Sequence, residues 1–124
     1  MTPTSLAIAY TALAVLPTAM QIALAAGAPL GRFTLGGRFP SRLPGNWRAL
    51  ALVQASLLLA MACAMLDRGG VLRLGLPDAA FWLALALTVL TTIANSASPS
   101  RPERLLWGPV TLAMTVAALG IALL

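Results

Sequence analysis

Apolar residues gather in four long blocks along this chain, and polar residues gather in the three intervals between them. The blocks cover residues 4–26, 47–66, 77–97 and 105–124. An α-helix needs roughly 20 predominantly apolar residues to cross a ~30 Å hydrocarbon layer, and every block meets that length. The pattern predicts an all-α polytopic membrane protein: one transmembrane domain over residues 1–124, built as a four-transmembrane-helix bundle.

Local signals mark where each helix starts and stops. Pro17 lies in the middle of the first block and should bend it, because proline removes a backbone donor and crowds the preceding turn. Pro29 and Gly31 end that block. Asn46 suits the N-cap of the second helix, and Gly69-Gly70 suits its end. The third helix should open at Pro77-Asp78, where proline is tolerated and an acid complements the helix dipole. Its last turns are polar (Thr88, Thr91, Thr92, Asn95, Ser96, Ser98), and Pro99 closes it. Ser100 and Glu103 have the spacing of a capping box for the fourth helix, and Pro109 predicts a kink near its start. In the long interval, Gly36-Gly37 between Phe33-Thr34-Leu35 and Arg38-Phe39 fits either a small hairpin or a re-entrant or interfacial turn. Trp47, Trp82 and Trp107 fall near helix starts, where an aromatic belt would place them.

Composition supports the membrane reading and narrows the chemistry. Of 124 residues, 60% are hydrophobic and 9% charged, against about 25% charged in a soluble domain. The mean hydropathy is +0.91. The net charge of +5 comes from eight basic residues, all arginine, against three acids, with no histidine. A basic balance in such a chain points to topology and anionic lipid rather than nucleic acid. One cysteine, Cys63, excludes an internal disulfide and a Cys-rich metal centre. Without histidine the commonest general base and metal ligand is missing, so neither a metal nor a cofactor is expected. The first block lacks a basic n-region and reads as a true span rather than a secretory signal.

Arginine placement sets the orientation. The loops at 27–46 and 98–104, with their flanks, carry Arg32, Arg38, Arg42, Arg48, Arg101 and Arg104, and the opposite side carries Arg68 and Arg73. Six against two puts both loops in the cytoplasm, with N-terminus and C-terminus outside. The six arginines are candidates for contact with anionic lipid headgroups or a partner, since guanidinium grips phosphate bidentately; their plainer role is to fix topology. Ser100 and Glu103 read as a helix cap, with Glu103 also placed to pair with Arg104 or an arginine of the long loop. Thr92, Asn95 and Ser98 are candidates for a polar cavity, or for bonds between helices. Gln21 and Gln54 sit where they can meet across the first helix pair.

The segments Gly27 to Gly37 (GAPLGRFTLGG), Leu43-Pro44, Asn95 to Arg104 (NSASPSRPER) and Trp107 to Val110 (WGPV) together resemble a family of small, uncharacterised bacterial membrane proteins. The resemblance covers nearly the whole chain and implies a bacterial origin, in the cytoplasmic membrane, and a four-helix membrane fold. It brings no catalytic residue with it.

No ionisable residue falls in the middle of any block, and no acid accompanies Glu103 on its face. The expected function is therefore non-catalytic: an accessory or structural subunit of a membrane complex or of a homo-oligomer, with the arginine loop against anionic lipid or partner. A small dimeric transporter or channel for a small molecule or lipid is the alternative, carried by the polar end of the third helix. A lipid-acting membrane enzyme using Glu103 is a further one.

Overall fold

The computed structural model describes residues 1–124 and is all-helical, without a strand. In order it contains α1 (Pro3–Ala25), two 3-10 turns (Gly31–Phe33 and Leu35–Gly37), α2 (Gly45–Arg68), α3 (Asp78–Ser96) and α4 (Arg101–Leu123). All four helices are long and apolar enough to cross a bilayer. The chain is a multi-pass membrane protein of four helices, as the block pattern requires.

The caps explain the helix boundaries. Ser5 N donates to Thr2 Oγ1 (3.1 Å) and Thr2 N donates to Ser5 Oγ (3.0 Å), a capping box that starts α1 before the apolar block begins. Asn46 does not cap α2. Pro44 takes that position in extended backbone, and Asn46 lies within the first turn. α2 ends at Gly69, and the chain turns away through Gly70 at φ +79°, a conformation favoured by glycine. Ser100 caps α4.

The long loop, 26–44, forms no hairpin. Leu35, Gly36 and Gly37 all have positive φ (52°, 65° and 75°), so the chain coils where a ladder would need extended backbone. Leu24, Leu43 and Ala51 form a small buried cluster under this loop, flanked by Met20, Phe39 and Trp47. The loop is thus a packed cap on the ends of α1 and α2.

In the bundle α1 packs chiefly on α2 and α4, and α3 chiefly on α4; of the neighbouring helix pairs α2 and α3 meet least, and the diagonal pairs scarcely touch. The sealed core (Tyr10, Met65, Phe81, Met114 and their neighbours) fills the half where α1 and α3 begin and α2 and α4 end. Outward faces carry large apolar residues such as Val53, Leu83, Leu90 and Val116, which suits hydrocarbon around the bundle. The other half, beneath the long loop, is hollow.

Candidate functional site: a cavity beneath the long loop

All four helices contribute to this hollow. Its volume is about 490 Å³, within the range of small-molecule sites. Pro17 and Gln21 come from α1, Gln54 and Met61 from α2, Thr88 and Asn95 from α3, and Trp107 and Thr111 from α4. Phe33, Thr34, Leu35 and Gly36 close it from the loop side. The core closes the far side. Leu57, Thr91 and Ala94 both line the hollow and are exposed, so it opens laterally between α2 and α3.

Two contacts hold the roof in place. Ser100 Oγ donates to the Arg32 carbonyl, and Gly36 lies against Pro99. Gly31 N donates to the Ser41 carbonyl (2.8 Å), and a Cβ on Gly31 would fall into the Phe39 carbonyl. That close approach is why glycine stands there.

The polar lining is partly satisfied within the protein. Tyr10 and Thr88 hydroxyls share a 2.7 Å hydrogen bond, and Thr88 also donates to the Ala84 carbonyl (2.7 Å). Thr111 donates to the Trp107 carbonyl (2.6 Å), and Asn95 Nδ2 reaches Thr111 Oγ1 at 3.4 Å. Of the expected cavity residues, Asn95 and Ser98 line the hollow. Thr92 does not: its hydroxyl donates to the Thr88 carbonyl (2.9 Å) and pairs with Thr115 (2.7 Å), joining α3 to α4. Gln21 and Gln54 face the same hollow.

Glu103 departs from its expected role. Ser100 Oγ does accept from Glu103 N (3.4 Å), so half of the capping box exists. The reciprocal bond is missing, because Ser100 N donates to Ser98 Oγ instead (3.1 Å). No arginine pairs with the Glu103 carboxylate; the ion pair of the chain is Arg68–Asp78, between the end of α2 and the start of α3. Glu103 is 7% exposed and lines the cavity, where it is the charged residue. Beside it in the lining, Trp107 is 6% exposed and its Nε1–H has no acceptor. Trp107 is therefore a buried wall residue rather than a belt residue. The helix register places it on the inward face one turn after Glu103.

The six arginines divide into two groups. Arg48 Nε donates to the Ala25 carbonyl (2.9 Å) and Arg104 donates to the Ser98 carbonyl (2.8 Å). Both tie down backbone at the end of the preceding helix. Arg32, Arg38, Arg42 and Arg101 are exposed. Arg32 lies over Phe33, and Arg38 lies over Phe39 and Trp47 at 5.3 and 5.5 Å. The free guanidinium groups thus rim the outer surface of the roof, while the carboxylate sits below it.

The hollow is larger than the polar end of the third helix suggests, and Trp107 and Thr111 of α4 belong to its lining as well. The available signal was the spacing of Glu103, Trp107 and Thr111, four residues apart on one helix face. Compared with protein-family models, curated proteins and solved structures, the chain matches none.

Proposed function

We propose that this chain is a small-molecule-binding protein of a bacterial cytoplasmic membrane, which carries its ligand between the bilayer and the cytoplasmic face without chemical change. The observation behind this reading is the hollow of about 490 Å³ lined by all four helices, closed by the long loop and open between α2 and α3. Tightly packed membrane bundles leave no such volume, since close packing is what holds them together. With the two arginine-bearing loops in the cytoplasm, the closed end faces the cytoplasm and the lateral opening faces lipid. Arg32, Arg38, Arg42 and Arg101 anchor the roof to anionic headgroups, each contributing about 1 kcal/mol at the surface. A single carboxylate without a second acid or an activated nucleophile beside it gives a binding group and no reaction cycle.

The accessory-subunit reading stands second. It draws on the gap between α2 and α3, which a helix of a partner or of a second copy would close. Native mass spectrometry of protein extracted gently from its own membrane separates the two. A chain or homo-oligomer carrying a stoichiometric small ligand supports the carrier. Co-migrating foreign subunits with an empty cavity overturn it in favour of the accessory role.

A further inference from the structure

Resting on the reading of the hollow as a ligand site, we infer that its ligand carries an organic ammonium group on an apolar body, with the ammonium held by Glu103. Glu103 is buried, lines the hollow and receives no hydrogen bond on its carboxylate from any donor of the chain. A buried charge is retained only with a partner. The partner is not one of the eight arginines. Arg104, the nearest in sequence, is turned to the Ser98 carbonyl, Arg48 to Ala25, and no arginine lines the cavity. A cationic ligand in the hollow would supply that counter-charge from outside the chain.

The surroundings select the kind of cation. A divalent metal ion takes several hard oxygen ligands, and no group of three acidic, histidine or cysteine side chains exists to supply them. An ammonium needs one carboxylate, neutral acceptors and aromatic faces. The lining provides Gln21, Gln54 and Asn95 amide oxygens, and the rings of Phe33 and Trp107. Aromatic faces attract organic cations directly. The remaining wall is apolar (Leu57, Leu58, Met61, Leu87, Met114) and continuous with the lateral opening, which suits an alkyl or aryl body partitioned from the bilayer. An anionic ligand is disfavoured by the one charge it would meet inside.

The test is calorimetric titration of the full chain in neutral maltoside micelles with 4-phenylbutylammonium and its uncharged isostere 4-phenylbutanol. The ammonium compound should bind the wild-type chain at least about ten-fold tighter than the alcohol, a difference of about 1.4 kcal/mol. Glu103→Gln should abolish that preference; Glu103→Asp, which keeps the charge, should restore part of it. Equal affinity of wild type for both compounds overturns the ammonium inference and leaves the cavity reading standing. Binding of neither compound overturns both. The wild-type comparison decides the matter even if a Glu103 variant does not fold.

Discussion

Arg48 Nε donates a 2.9 Å hydrogen bond to the Ala25 carbonyl, so the second helix supplies the cap for the end of the first. Arg104 repeats the arrangement on Ser98, at the end of α3. Both arginines are the fourth residue of their helix, and each closes its own helical hairpin. A charge-assisted bond to backbone contributes about 1.5–3 kcal/mol. Arg48→Met and Arg104→Met should each lower unfolding free energy by about 1–3 kcal/mol, measured by circular dichroism during titration with a denaturing detergent. Arg42→Met, at an exposed position with no partner, should stay within about 0.5 kcal/mol. Equal effects at all three positions would mean that overall charge, not capping, governs stability.

The Tyr10–Thr88 hydroxyl pair joins α1 to α3, two helices that otherwise scarcely touch. Side-chain bonds between membrane helices average about 0.6 kcal/mol and reach about 1.7. Tyr10→Phe should cost about 0.5–1.5 kcal/mol, and the Tyr10→Phe/Thr88→Val cycle should show coupling of the same size. Thr88 keeps its own bond to Ala84 in the single Tyr10 variant, so no polar atom is orphaned and the cost should not exceed this range.

The helices were legible in the sequence because each had to satisfy its backbone internally over a bilayer's thickness, and the four apolar blocks mark that length. The helix starts were less legible. Pro44 displaced Asn46 as the cap because a proline in extended backbone already delivers the chain into α2. Of the two forms open to Gly36-Gly37, a hairpin or a re-entrant or interfacial turn, the hairpin is ruled out for a related reason: positive φ at Leu35 as well as at both glycines continues the coil. The site was legible only in fragments. Asn95 and Ser98 line the cavity, and so does Glu103, whose capping bond Ser98 takes. Which of two donors and acceptors pair within three residues depends on the loop's path, and Arg32, from the distant roof, takes part in that choice.

Gly31 is the position where the roof tolerates least. A side chain there would overlap the Phe39 carbonyl and meet Ser41 as well, and both are backbone groups that cannot swing away. Gly31→Ala should cost at least the 1–3 kcal/mol typical of overpacking and expose the hollow on the side of the long loop. Gly45→Ala, with open space around its Cα, should be neutral or slightly stabilising. Hydrogen exchange on residues 31–39 is the direct readout, with faster exchange expected in the first variant alone.

The proposed orientation rests on arginines that lie in short loops. In a Cys63→Ser background, Arg73→Cys should react with a membrane-impermeant maleimide in intact spheroplasts, and Ser41→Cys only after lysis. Both positions are exposed, so a failure to label reports sidedness rather than burial. Labelling of Ser41→Cys from outside would invert the bundle and turn the roof toward the external face.

The connection between α2 and α3, residues 69–77 with its flanks, sets two kinds of electrostatic contact side by side. Arg68 pairs with Asp78 at 3.3 Å, with side chains 34% and 91% exposed. Exposed pairs contribute about 0–1 kcal/mol and weaken in salt; an acid at the start of α3 gains a further fraction from the helix dipole. Asp67, one residue earlier, accepts from Leu74 N (2.7 Å) and Leu76 N (3.3 Å), holding the return of the chain. Bonds from backbone N–H to a carboxylate need no long side chain to be ordered, so less of their strength is lost to entropy. Asp67→Ala should therefore cost about 1–3 kcal/mol and Asp78→Asn less than about 1 kcal/mol, both read by detergent-induced unfolding. At about 1 M salt, where the screening length falls to ~3 Å, the Asp78 effect should shrink toward zero while most of the Asp67 effect remains. If the Asp78 variant proved the weaker protein, the ion pair rather than the carboxylate–backbone bonds would be what holds α2 and α3 in register at this end of the bundle.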